Sequence, residues 1–298
     1  MLAEAANPLL NPWRYQAHPE VWLLVAFLVG AYVYVVKVLG PQIGDVDRPV
    51  TRRNIVAFTA AIVLLWFGSD WPLHDLAEEY LYSMHMVQHM VLSYFVPPLA
   101  LLATPDWLFR AIVGNGRGYR FVRFASRPVI AGVLFNVVVM ITHIPGLVNR
   151  SAENSPLHYS LHVILVSTAL LMWMPICGPA KELHMGYAGK MIYLFLMSVV
   201  PTVPAAWLTF AEGTVYKHYA IPIRVWGLSI ETDQQLAGAI MKTGGAIYLW
   251  TIVIYMFFRR FSRNFNEEQS YVRDDTTLTY DAVERAFEST PPAPEPNR

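Results

Sequence analysis

Nine histidines are the residues of this 298-residue chain best equipped for chemistry, and four of them form two pairs at helical spacing, His85/His89 and His158/His162. Residues four apart stand one turn above each other on one helix face, so each pair offers two imidazoles to a common partner. His143 lies between the pairs, with Met140 three residues before it. The segment His85-Met86-Val87-Gln88-His89 is flanked by Met84 and Met90. Imidazole and thioether together form a soft-to-borderline donor set that favours copper, Cu(I) above all, over magnesium or calcium, and leaves zinc open. A hydrolytic zinc site of the His-Glu-x-x-His kind needs a glutamate directly after its first histidine. Met86 and Tyr159 occupy those positions, so the metalloprotease base is missing. His85, His89, His143, His158 and His162 are therefore the candidate metal ligands, with Met86 as the candidate thioether. Met84, Met90 and Met140 serve equally well as ordinary membrane filler.

The elements that must position these groups are transmembrane helices. Hydrophobic residues make up 55% of the chain and charged residues only 15%, against about 25% charged in a soluble domain. The formal net charge is zero, which removes the basic field that phosphate backbones require, and nucleic acid is excluded as a partner. The single cysteine, Cys177, forbids an intramolecular disulfide or a Cys-x-x-Cys site. A crossing helix needs about 20 mostly apolar residues. Seven segments qualify: Glu20–Leu39, Arg53–Pro72, Tyr80–Ala103, Pro128–Thr142, Pro156–Ile176, Gly189–Ala211 and Asp233–Phe258. The expected fold is thus an all-α integral membrane protein with seven transmembrane helices. Residues 1–19 form an outer N-terminal segment, 20–258 the membrane domain, and 259–298 a cytoplasmic tail, polar and Pro-rich at its end and expected to be largely disordered. Arg14 alone precedes the first apolar run and no small-x-small site follows it, so that run reads as a retained span rather than a cleaved signal peptide.

Basic residues set the orientation, because Lys and Arg resist translocation. Of the 22 Lys and Arg, 17 fall in the loops after spans one, three and five and in the tail, four fall on the other side, and Lys242 lies inside a span. This predicts an outer amino terminus and a cytoplasmic carboxyl terminus. Eight histidines then belong to the outer side, and only His184 is cytoplasmic. His85 and His89 would sit about 8 and 14 Å below the outer start of span three. If spans three, four and five are neighbours, five imidazoles share one layer, where ionisable groups are costly and usually functional. His18, His74 and His218 lie in loops and are expected to bond water or backbone. Pro97-Pro98 and Pro201-Thr202-Val203-Pro204 should kink spans three and six. Asp233 begins span seven, where it can cap a helix or orient a histidine. Lys242 is too deep to reach the surface easily and needs a partner or a wet cavity.

Taken together, His85-Met-Val-Gln-His89 with Pro97-Pro98, Thr142-His143-Ile-Pro145 leading to Pro156-Leu-His158-Tyr-Ser-Leu-His162 and Trp173-Met-Pro175, and Asp233-Gln234-Gln235-Leu-Ala-Gly238-Ala-Ile-Met241 resemble the polytopic CtaG-type cytochrome c oxidase assembly factors. The resemblance runs over about residues 20 to 258. It implies a multi-pass protein of the bacterial plasma (inner) membrane that serves maturation of a haem-copper oxidase, with copper handled on the outer side. By position it points to His85, His89, His143, His158, His162 and Asp233. Leu161 and Lys242 depart from the family pattern, which often has an acidic residue and a tryptophan there. The expected role is a non-enzymatic metal chaperone in the lipid bilayer, which takes copper as Cu(I), with a periplasmic donor as a further partner, and passes it to an apo-subunit of the oxidase. Two rivals stay open: a haem-binding electron-transfer protein with axial histidines, and an enzyme or transporter that relays protons through Asp233, Lys242 and the histidines.

Overall fold

The computed structural model describes residues 11–43, 50–274 and 280–289, and among these 81% of the chain is helical with no strand. Two compact units are distinguished, Met1–Thr251 and Ile252–Arg298. Among the described residues, five helices are long and apolar enough to cross a membrane: Pro19–Gln42, Tyr82–Ala103, Ser155–Cys177, Tyr187–Thr209 and Ile230–Asn266. The count rises to seven if two bent pairs are each one span, Arg52–Ser69 with Leu73–Tyr80 and Arg117–Ala125 with Pro128–Thr142. The all-α expectation holds, and a multi-pass membrane protein follows from it.

Local chemistry explains where these helices begin. Thr51 and Asn54 form a reciprocal capping box at the start of Arg52–Ser69. The Asn154 side chain accepts from the Leu157 N–H and opens Ser155–Cys177, and Ser229 accepts from the Thr232 N–H to open Ile230–Ala239. Prolines stand in the first turn of Pro19–Tyr34, Pro128–Thr142 and Ser155–Cys177, where a missing N–H costs nothing. Asp233 therefore does not cap its own helix, which Ser229 already does.

Deeper in the bundle the prolines act differently. A π-helical turn, Val91–Phe95, leads into Pro97, which cannot donate to the carbonyl four residues back, that of Ser93. The buried Trp173 indole supplies that donor, with Nε1 3.0 Å from the Ser93 oxygen. The sixth span breaks between the helices Tyr187–Val199 and Thr202–Thr209, and there the Lys242 ammonium donates to the Ser198 carbonyl at 3.1 Å and to Thr202 Oγ1 at 2.5 Å. Lys242 itself sits on a second π-helical turn, Ile240–Gly244.

Helix pairing brings the histidine-bearing segments together. Ser155–Cys177 packs on both Pro128–Thr142 and Val96–Ala103, while Ile230–Ala239 packs on Tyr82–Met90 and on Thr202–Thr209. The last of these contacts is close: a Cβ on Gly238 would lie 2.5 Å from Thr209 Oγ1 and 2.7 Å from the Ala205 oxygen. Only glycine allows that approach. At the opposite end from the histidines, Arg110 bridges Asp106 at 3.0 Å and Glu182 at 2.5 Å. A backbone hydrogen bond foremost holds the Glu182 carboxyl below its ordinary range, helped by Tyr119 and Arg110.

The described part of the tail carries helix that its polar composition did not suggest. The last long helix does not stop near Phe258 but runs from Gly245 to Asp274, and Tyr280–Glu288 is helical too. Apolar positions recur at helical spacing in both stretches, as in Phe257, Phe261 and Phe265, so much of the tail forms amphipathic helix rather than disordered chain. The Pro-rich terminus after Ser289 lies outside the described residues.

Candidate metal centre

His85 and His89 project from Tyr82–Met90, His143 ends Pro128–Thr142, and His158 and His162 project from the first turns of Ser155–Cys177. These three helices bring all five rings together. Centroids lie 4.4 Å apart for His85/His89, 4.3 Å for His158/His162, 5.9 Å for His85/His162, 5.3 Å for His89/His162 and 5.8 Å for His89/His143. His85, His143 and His158 are buried, and His89 and His162 are partly so.

Among the described residues, two groups of ligand atoms are compact enough to share an ion. One nitrogen from each of His85, His89 and His162 lies within 4.8 Å of the others, and the same is true of one atom each from Glu78, His158 and His162. His162 belongs to both. Glu78 Oε1 is 2.9 Å from His158 Nε2 and 3.5 Å from His85 Nδ1, yet neither contact has hydrogen-bond geometry. His85 Nδ1, His158 Nε2 and His162 Nε2 are all buried with no hydrogen-bond partner. Buried polar atoms are seldom left so, because each forfeits its bonds to water. Facing inward on one cavity, these lone pairs form a donor set that fits a borderline or soft cation such as copper or zinc.

Glu78 is the residue that sequence reasoning missed. It stands on a π-helical turn, Leu76–Tyr80, separated from the His85 helix by the extended residue Leu81. That extended residue resets the helical phase, so spacing to His85 carries no message. A loop from the far side holds the segment in place: His218 Nε2 bonds the Glu78 carbonyl at 2.8 Å and Tyr219 donates to the Ala77 carbonyl at 2.9 Å. The same loop donates from the Tyr216 hydroxyl to the His143 carbonyl at 3.0 Å, and Gln234 accepts from the Val215 and Tyr216 N–H groups.

Asp233 stands apart from the imidazoles. Its carboxylate accepts from the Tyr82 N–H at 2.8 Å, the Ser83 N–H at 3.1 Å and the Ser83 hydroxyl at 2.5 Å. Leu81 cannot cap the His85 helix, so an anion from another helix satisfies its first N–H groups and complements its dipole. The geometry thus gives Asp233 a positioning role toward the helix that carries His85 and His89, through that helix's first N–H groups and not through a cap on its own helix or a bond to an imidazole.

The methionines divide as well. Met86 is buried with Sδ 3.3 Å from His143 Nε2, whereas Met84 packs on the Leu76, Tyr80, Leu81 and Val225 cluster and Met140 is exposed. Of the remaining histidines, His18 bonds Asp75 at 2.6 Å, and His74, which stands on the helical turn Leu73–Asp75, bonds Gln88 at 3.0 Å, side-chain partners where water or backbone was expected. His184, the ninth, bonds the Gly178 carbonyl at 2.7 Å beyond the other end of its neighbouring span.

With this geometry in view, comparison with known proteins gives one family. The family described as cytochrome c oxidase caa3 assembly factor (Caa3_CtaG) matches residues 30–263, and the chain belongs to it. No curated protein matches the chain, and no solved structure does.

Proposed function

We propose that this member of the cytochrome c oxidase caa3 assembly factor family holds copper in its histidine layer and hands it to an oxidase subunit. Family membership supplies the coarser statement, an assembly factor with an oxidase partner. The observation that carries the copper reading is the set of buried, unpartnered imidazole nitrogens on His85, His158 and His162, gathered around one cavity with His89 and Glu78. A cation held among them would give these nitrogens and the Glu78 carboxylate a common partner.

The excess of basic residues at the opposite end supports an orientation with the histidine layer on the outer face of the bacterial plasma membrane. There a periplasmic copper donor and a membrane-embedded acceptor could both reach it. Binding and release by ligand exchange need no bond-making chemistry in the chain, so the role is that of a metal chaperone and not of an enzyme. Haem is the weaker reading, because the rings of His85, His89 and His162 lie 4.4–5.9 Å apart and turn their nitrogens toward one another, as ligands of a single small ion would. A proton relay through Lys242 is also disfavoured, since its ammonium is already engaged by Ser198 and Thr202.

Elemental analysis of anaerobically purified protein tests the reading. Wild type is expected to retain copper, and His85→Ala/His89→Ala to lose it. Copper kept at wild-type stoichiometry by the double variant removes that pair from the site, and sharp haem bands with no copper in wild type overturn the proposal.

A further inference from the structure

Below the histidine layer lies a second cavity of different chemistry, whose lining includes Met86, His89, Met90, His143 and Met241. His89 is on the wall of both cavities. The contact at its centre is unusual. His143 Nδ1 is 2.6 Å from the Val139 carbonyl, and a carbonyl has no proton to give, so Nδ1 carries the hydrogen and donates it. In a neutral ring that leaves a bare lone pair on Nε2. The atom this lone pair faces, 3.3 Å away, is the Met86 thioether sulfur, which has lone pairs of its own and no proton. Two acceptors therefore confront each other in a buried place. An imidazolium would turn the contact into a hydrogen bond, but only by burying a positive charge beside His89, whose ring is itself in contact with those of His85 and His162. A shared cation resolves the contact without that cost, and nitrogen with thioether sulfur is a ligand pair for a soft, monovalent one.

We infer that His143 and Met86, with Met90 and Met241 around them, form a further metal station, third beside the two ligand groups of the histidine layer, selective for Cu(I) and joined to that layer through His89. This deepens the copper reading above and rests on it. The donor sets then grade along the site: carboxylate and imidazole in Glu78, His158 and His162; imidazole alone in His85, His89 and His162; imidazole and thioether in His143 and Met86. The first two stations share His162, and His89 of the second stands beside the third, its ring centroid 5.8 Å from that of His143. An ion can pass down this series by exchanging one ligand at a time, with no change of oxidation state and no return to water. Harder or divalent ions find no advantage in the sulfur station and are held back in the imidazole layer. The shared imidazoles thus act as a filter by ligand softness.

The test uses the full chain loaded anaerobically with Cu(I), or with Zn(II) as the borderline comparison, in wild type, Met86→Leu and Met86→Leu/Met90→Leu/Met241→Leu. X-ray absorption at the copper edge reports sulfur neighbours, and elemental analysis reports ions per chain. Sulfur scattering is expected in wild-type Cu(I) protein, reduced in Met86→Leu and lost in the triple variant together with one Cu(I) per chain, while Zn(II) content is unchanged. Wild-type Cu(I) surrounded by nitrogen alone overturns the inference and leaves the histidine layer standing. Sulfur scattering that persists in the triple variant also overturns it, by placing the sulfur elsewhere among the methionines or at Cys177. Wild type that retains neither ion overturns the copper reading itself, a result distinct from both. The wild-type spectrum and Met86→Leu decide the question even where the triple variant fails to fold.

Discussion

Two places in this bundle put ionisable side chains into segments that pass through a membrane, and they resolve the cost in opposite ways. At the break in the sixth span, Lys242 is matched: the Ser198 carbonyl and Thr202 hydroxyl take its protons, and the irregular backbone gains a donor in return. In the histidine layer, His162 keeps a buried nitrogen with no partner, and His85 and His158 meet only the shared Glu78 carboxylate, outside hydrogen-bond geometry. Both regions look alike as sequence, since each is a polar residue in an apolar run. Their difference shows that burial of an ionisable group marks a site only when its bonding capacity is left over. Lys242 completes the fold. The histidines leave bonding capacity over, and on that surplus the proposed copper site rests.

That contrast can be broken experimentally, and the largest effect is expected at His162. It contributes to both ligand groups, so His162→Ala should lower metal affinity by more than about 100-fold, beyond what loss of a supporting contact usually causes. Thermal unfolding of the metal-free variant should be unchanged or slightly raised, because a buried unpartnered atom is removed. Competition titration and unfolding in detergent report the two quantities, and a large loss of apo-protein stability would reassign His162 to the fold.

Next comes Asp233. Asp233→Ala orphans three buried donors at the start of the His85 helix, at about 1–3 kcal/mol for each that finds no water. The unfolding temperature should fall markedly and metal affinity should fall with it, since the ligand helix loses its anchor. Unchanged stability with lost metal would instead make Asp233 a ligand.

Lys242→Met should have the smallest effect: about 1–3 kcal/mol of stability from the carbonyl left without its donor, and no change in metal content. Damage to metal retention equal to that of His85→Ala/His89→Ala would erase the distinction between the two regions and revive a relay role.

The same contrast explains what the sequence discloses. Apolar runs of sufficient length and His–x–x–x–His spacing reveal the spans and the shared face of each pair, because both follow from the 3.6-residue period. Capping of the His85 helix by Asp233 is hidden, since about 150 residues separate donor from acceptor. Glu78 is hidden by an extended residue and a π-helical turn that break the phase. Met84 and Met86 look equivalent beside His85, yet two positions on a helix differ by more than half a turn, and one faces a hydrophobic cluster while the other faces His143. The partners of Lys242 arise from a backbone break on a different span. In each case the missing information is which distant backbone the side chain meets.

The Trp173 indole on the Ser93 carbonyl has a mechanical consequence. Trp173 follows His162 by eleven residues, close to three whole turns, and Ser93 follows His89 by four. One bond deep in the membrane thus pins, like a dowel, the axial register of the two helices that carry four of the five imidazoles. A slip of either rod along the other would pull the indole off a carbonyl that Pro97 has left with no alternative donor on its own helix. The spacing of the metal-facing rings is accordingly fixed from below, at a point none of them touches.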